Sequence, residues 1–210
     1  MPKLTSVNHR LSFSIMIPKI NFDFSNKNKI KKLSLLISEP FSTEKYFSRS
    51  VILLCDHGSD GSFGFVLNNY TDIDIDKMIP PLAGLKVKIS VGGPLDNDNL
   101  FYIHNFGEKL NGAIPLGKRM YLGGNFKELI TYLKGHPSEI NNIRFFLGYS
   151  GWSEGQLDSE TTEKAWVAIN KYPKTLIFNT EKIDLWQESM KELGGKFNVM
   201  SNFPINPSDN

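Results

Sequence analysis

One cysteine, Cys55, occurs in 210 residues. A disulfide scaffold is therefore excluded, and so is any zinc finger or ribbon built on thiolates. No uninterrupted apolar run approaches the ~20 residues that a membrane-spanning helix requires. The four histidines, His9, His57, His104 and His136, have no His or Cys partner at ligand spacing, and neither H-E-x-x-H nor C-x-x-C occurs. The sequence thus predicts no metal site and implies no cofactor. Neither Ser50 nor Ser150 sits in a G-x-S-x-G elbow, and no G-x-G-x-x-G or G-x-x-x-x-G-K-S/T loop is present. Serine hydrolysis and nucleotide binding have no motif behind them.

A large charge excess is also missing, the formal net charge being +2. It is nevertheless uneven. Residues 1–32 carry seven lysines and arginines against the single acid Asp23, a net +6, while the remaining residues hold 17 bases and 21 acids, a net −4. A mildly acidic folded part offers no obvious surface for a polyphosphate backbone. Sequence-specific DNA binding is not expected, because both longer helical segments mix their charges: Lys127 and Lys134 stand with Glu128, and Lys182 and Lys191 with four acids.

What remains is a composition of 40% apolar and 22% charged residues, that of an ordinary globular protein in a chain long enough for one domain. The predicted division is a flexible basic N-terminal arm over 1–32 and a domain over 33–210. Leu11–Pro18 follows Arg10 as a short secretory h-region would, yet Ser12 and Ser14 interrupt it and no small-residue cleavage site follows. Met16 offers the other reading, a later start with an upstream extension. The expected compartment is the cytoplasm. Deleting residues 1–30 is expected to leave the melting temperature nearly unchanged.

Leu33–Ile37 and Val51–Cys55 read as strands, the second as a continuous apolar run covered on both faces. Asp56–Gly61 is turn chemistry, and Phe63, Phe65 and Leu67 alternate beyond it, which predicts a hairpin. Further strands are expected over 87–91, 100–104, 143–147 and 165–169. Phe126, Leu129, Ile130 and Leu133 have helical spacing, with Asn125 as cap and Glu128 at the capping-box position. Ile183, Trp186, Met190 and Leu193 form a second stripe closed by Gly194-Gly195, and Ser153 with Gln156 marks a third helix start. Asp72–Asp76 reads as an Asp-rich helix N-terminus. Strands precede helices without regular alternation, which favours α+β over a doubly wound sheet.

Five residues are candidates for one cleft: Arg49, His57, Asn68, Trp152 and Gln156. All are polar or amphipathic and fall at predicted strand ends, where pockets form. Arg49 can grip an anionic group in a fork geometry, or pair internally with Glu39 or Asp56. His57 is the best group for proton chemistry, or a turn histidine bonding a carbonyl. Trp152 and Gln156 can frame a ligand, or close the core and cap a helix. Cys55 ends a buried run, which makes an inert thiol.

Arg144-Phe145-Phe146-Leu147-Gly148-Tyr149-Ser150-Gly151-Trp152, with Gly155-Gln156-Leu157, resembles the most specific signature of the AlgH/YqgE family of small bacterial proteins. Ser38-Glu39-Pro40 with Tyr46–Leu54, Asp56-His57, Gly61–Asn68, Val91–Leu95 and Leu100–His104 follow in the family's order, and Asn202–Pro207 resembles its ending. Asp56 and Asp158 stand where glutamate is commoner, and Ser150 where alanine is. The resemblance implies a single α+β domain with a mixed, strongly bent β-sheet around a small helical part. It implies no reaction, and the label of transcriptional regulator given to some members rests on pathway association. The expected function is a non-enzymatic regulatory or binding protein recognising a small ligand or a protein partner. The alternative is a hydrolase-type enzyme using His57, Arg49 and Asn68.

Overall fold

The two continuous apolar runs become the middle of a sheet because residues apolar on both sides need cover on both faces. The computed structural model describes residues 23–42, 44, 46–178 and 180–204. In it β1 (Leu35–Ser38) pairs antiparallel with β2 (Val51–Gly58), and both Leu35–Ser38 and Val51–Cys55 are buried throughout. β3 (Gly61–Val66) returns along β2 as the expected hairpin, but the reversal takes only Ser59 and Asp60. Asp56 and His57, expected in the turn, are strand residues opposite Phe63 and Ser62, reached by a bulge at Cys55.

The chain continues through β4 (Tyr70–Asp74), α1 (Ile75–Met78), β5 (Lys88–Val91), β6 (Leu95–His104), β7 (Ile114–Gly117), β8 (Met120–Leu122) and α2 (Phe126–Gly135). It ends with β9 (Ile143–Trp152), α3 (Gln156–Thr162), β10 (Trp166–Ile169), α4 (Leu185–Leu193) and α5 (Gly195–Met200). The strand order is β10-β1-β2-β3-β9-β6-β8-β7, and β5 joins β9 in parallel while pairing antiparallel with β4. The sheet is mixed, as expected of the α+β class.

β9 holds the two halves together. Its residues 145–147 pair with β5 and β6, whereas 150–152 pair with β3. Between them Gly148 has φ +65, and a Cβ there would run into Asn97 Oδ1 and the Leu95 carbonyl. Only glycine tolerates that corner. On the facing strand Leu95 opposes Tyr149 and Leu100 opposes Leu147, so four residues of β6 bulge past one of β9. The sheet bends here.

Three apolar clusters result. α4 and α5 cover one face, with Trp186, Met190, Phe197 and Met200 against Leu35, Leu53 and Phe65. α3 lies on the opposite face beside Leu54, Trp152 and Trp166. α2 packs Leu129 and Leu133 on the far half of the sheet. Residues 23–32, grouped with the arm in the sequence, lie on the domain. Phe24 is 6% exposed and edge-on to Phe197, and Asn26 and Asn28 both donate to the Ala168 carbonyl at 2.8 Å. Leu11–Pro18, His9 and 205–207 lie outside the described residues.

The caps refine the sequence picture. Asn125 accepts from the amides of Lys127 and Glu128, but Glu128 itself turns to Asn111 rather than completing a box. Ile183 lies ahead of α4 and is 42% exposed, because Asp184 caps that helix by accepting from Gln187 N. Asp72 is a strand residue and Asp74 the residue before α1, so only Asp76 occupies a first helical turn. At α3, Gln156 accepts from Ser153 N at 3.0 Å while Gly155, at φ +68, occupies the cap position.

Candidate functional site

The five sequence-derived residues fall into two groups at opposite ends of β2. Arg49 precedes the strand at φ +48, and Asn68 holds that corner: its Oδ1 accepts from Val51 N at 2.9 Å and its Nδ2 donates to Arg49 O at 2.8 Å. The Arg49 guanidinium lies 4.6 Å over the Trp186 ring and donates to the Phe203 carbonyl. Neither Glu39 nor Asp56 pairs with it; Glu39 accepts from Phe41 N, and Asp56 is 3.9 Å from Lys32. This pair fastens the chain's last described segment to the sheet.

His57 stands six residues beyond Val51, roughly 20 Å away along an extended strand. Its Nδ1 is 2.8 Å from Ser62 Oγ and its Nε2 3.9 Å from Asp158 Oδ1 on α3. Because Ser62 also opposes Trp152, these three residues share one sheet face. Trp152 is 6% exposed, and Glu160 takes its polar edge: Oε2 accepts from Trp152 Nε1 at 2.9 Å and from Trp166 Nε1 at 2.8 Å. Gln156 Nε2 donates to Oε1 of the same carboxylate at 2.8 Å. The core-and-cap alternative for Trp152 and Gln156 therefore describes their bonding. A single cleft lined by all five does not form. In particular His57, Arg49 and Asn68, grouped as hydrolase residues, are not assembled.

The cavity that does form lies on the face carrying α4 and α5, beyond the reach of those helices, where the sheet bends. It holds about 630 Å³, within the span usual for ligand pockets. Phe63, Phe65, Phe101 and Tyr149 line it, and Leu95 and Leu122 flank them. The rings meet mostly edge to face: Phe63 with Tyr149 at 85°, Phe101 with Tyr149 at 77°, Phe63 with Phe65 at 90°. Phe65, stacked on Phe146 at 4.5 Å, is the floor. Asp56, Asp60, Ser62 and Ser153 bring polar atoms to one end, and Trp152 borders it. Of the five candidates only Trp152 touches this cavity.

The alternation of Phe63 and Phe65 is visible in the sequence. That β6 and β9 add Phe101 and Tyr149 to them is not, because it depends on the order of strands.

Two further groups were not singled out. Arg144 is 2% exposed, and its Nη atoms donate to Ile177 O, Thr180 Oγ1, Leu67 O and Ser90 Oγ at 2.6–2.8 Å. Burial depresses its pKa, and Tyr70, at 4.9 Å from the guanidinium, partly counters this. His104 is wholly buried; Phe106 N donates to its Nδ1, which leaves Nε2–H for the Gly123 carbonyl. Burial lowers its pKa from 6.5, a shift that the Gly123 bond partly reverses. Burial pushes the Cys55 thiol well up, with no help from Lys32 sufficient to offset it. Among the described residues no group of three His, Cys, Asp or Glu side chains could hold a metal ion, and no helix is long and apolar enough to cross a membrane.

The fold and the motifs agree with what the chain is similar to. The AlgH-like family model matches residues 35–198. A UPF0301 protein of Bacteroides thetaiotaomicron is 37% identical over 177 residues, covering 84% of this chain and 89% of that one. Another, from Cytophaga hutchinsonii, is 34% identical over 179 residues, covering 85% and 98%. The solution structure of Pseudomonas aeruginosa AlgH superposes with a TM-score of 0.65 at 20% identity, covering 85% of this chain and 97% of that one. A Corynebacterium diphtheriae crystal structure does so at 0.72 and 21%, covering 90% and 100%. These two likenesses bear on the fold, whereas the sequence matches carry the membership: the chain belongs to the AlgH-like family.

Proposed function

We propose that this protein is a non-enzymatic binding protein of the cytoplasm, regulatory in role, that recognises a small ligand or a partner's side chain in the aromatic cavity. The observation that carries this reading is the cavity itself. Four aromatic rings from three strands converge, and three of them, Phe63, Phe101 and Tyr149, stay partly exposed, although α4 and α5 bury the neighbouring part of the same face. Apolar walls with a few polar groups at one end describe a ligand site. A lone buried thiol suits a reducing compartment. DNA is not the expected partner, since α2 and α4 mix acidic with basic residues. Binding of one duplex much more tightly than its scrambled counterpart at physiological salt would overturn that part.

The test of the cavity is a fragment screen read by NMR on protein with labelled Phe and Tyr rings. Shifts confined to Phe63, Phe101 and Tyr149 are the expected outcome. Hits that cluster elsewhere, or none at all, would remove the reading.

Hydrolysis is the second reading. The short His57–Ser62 contact, with Asp158 beyond it, favours it. Covalent labelling of Ser62 by a fluorophosphonate, lost in His57→Ala, would promote it; an unlabelled Ser62 leaves the binding reading in place.

A further inference from the structure

We propose that the aromatic cavity receives a small organic cation, an ammonium group on an apolar body. The proposal rests on the reading of the cavity as a ligand site and adds the charge of the ligand.

Among the residues lining the cavity are two carboxylates, Asp56 and Asp60, and no lysine, arginine or histidine. Asp56 opposes Phe63 in the β2–β3 hairpin, which sets its carboxylate at the edge of the aromatic wall. Asp60 stands in the reversal of the same hairpin. The walls carry the same sign of preference. Rings that meet edge to face turn some of their π faces, which are the negative side of the quadrupole, toward whatever occupies the space between them. Here Tyr149 is perpendicular to Phe63 at 6.3 Å and nearly so to Phe101 at 5.7 Å. Aromatic faces beside carboxylates attract an ammonium and repel an anion.

A cation already leans on the mouth. Lys32 Nζ lies 3.9 Å from Asp56 Oδ1, with the two side chains 40% and 63% exposed. A contact so long and so open holds weakly, and a guest ammonium can displace it. Leu95, 43% exposed, and Leu122 give the apolar body of the guest a surface to cover.

The probe is phenethylammonium, titrated into full-length protein with labelled Phe and Tyr rings, beside neutral 2-phenylethanol and anionic phenylacetate. The ammonium is expected to shift Phe63, Phe101 and Tyr149 and to bind about tenfold more tightly than the alcohol. In the double variant Asp56→Asn, Asp60→Asn, whose altered side chains are exposed, the ammonium should lose most of its advantage over the alcohol, keeping only what the aromatic faces supply. Lys32→Met should tighten it several-fold by removing the competing cation. If the alcohol binds as well as the ammonium, if phenylacetate binds best, or if the double variant keeps the full preference, the charge assignment is wrong and the cavity stands as a site for another class. If none of the three moves the cavity rings, both the proposal and the reading beneath it fail.

Discussion

Replacing Glu160 by alanine tests whether the two tryptophans beside α3, Trp152 and Trp166, are held by one carboxylate. Two indole N–H groups donate to Glu160 Oε2, at 2.9 Å from Trp152 and 2.8 Å from Trp166, and those residues are 6% and 4% exposed. Burial denies the indoles an easy alternative partner. A buried donor left unsatisfied costs ~1–3 kcal/mol, so two of them predict a loss of about 3–5 kcal/mol. The third bond, from Gln156 Nε2, is exposed and adds little. Glu160→Gln keeps an oxygen for both indoles but loses the charge assistance, which predicts a smaller loss of about 1–2 kcal/mol. Urea denaturation gives the free energies. Indole fluorescence reports the site, since the third tryptophan, Trp186, bonds Ser38 O elsewhere and acts as an internal reference. A cost below 1 kcal/mol for Glu160→Ala, with unchanged emission, would refute the argument by showing that water reaches these indoles.

Further outcomes follow from three buried groups. Because His104 has its pKa lowered in the folded state, the unfolded chain binds the proton first; stability is expected to be full above pH 6.5 and to fall below it, by at most ~1.4 kcal/mol per pH unit, until the folded-state pKa is passed. Urea midpoints between pH 5 and 7 check this, and His104→Gln should flatten the slope. Phe24→Ala is expected to cost about 3–5 kcal/mol by emptying a core position. Deleting residues 1–30 removes Phe24 together with Asn26 and Asn28, so the melting temperature should fall by ~10 °C instead of holding steady. Arg144→Lys keeps the charge but cannot reach four separate acceptors, and a loss of about 3–5 kcal/mol is expected in thermal or urea denaturation; near-wild-type stability would show that the guanidinium fork is dispensable.

Local signals were legible where one residue type does one job. Asn125, the run Val51–Cys55 and the β2–β3 hairpin are all written in short stretches; the first two take their expected form, and the hairpin forms with a turn shortened from Asp56–Gly61 to Ser59-Asp60. β7 and β8 are not legible in this way. β7 is an edge strand carrying Pro115 and Gly117, with Ile114 57% exposed, and β8, between it and β6, is only three residues long, so no apolar alternation announces either. Asp72 and Asp74 look like helix-start residues, yet β4 pairs with β5 and puts them in a strand, because pairing with a neighbour overrides local preference. The candidate residues failed as a set for a related reason. All five fall at predicted strand ends, but Arg49 and His57 stand at opposite ends of the same strand, and its extended backbone sets them apart. Trp152 and Gln156 were conspicuous as ligand-like groups, and Glu160, four residues beyond Gln156, is the partner that occupies them.

The cavity arises from the sheet's bend, and the bend from a mismatch between two strands. β9 must serve β5 on one side of Gly148 and β3 on the other, with β6 alongside it on both. A regular strand would keep one twist across that span and lay Tyr149 flat against its neighbours. At φ +65 Gly148 changes the direction of the chain instead, and β6 absorbs the change by bulging between Leu95 and Leu100. The neighbouring rings then fan rather than stack: only Phe65 and Phe146 lie parallel, at 17°, while Phe63, Phe101 and Tyr149 stand across one another. Fanned rings leave space that stacked rings would fill. A substituted Gly148 would meet Asn97 and the Leu95 carbonyl, both within the bulge region, so the corner and the bulge stand or fall together. The opening in the aromatic face is therefore tied to the residue that gives the sheet its bend, and a ligand seated there would contact strands from both halves.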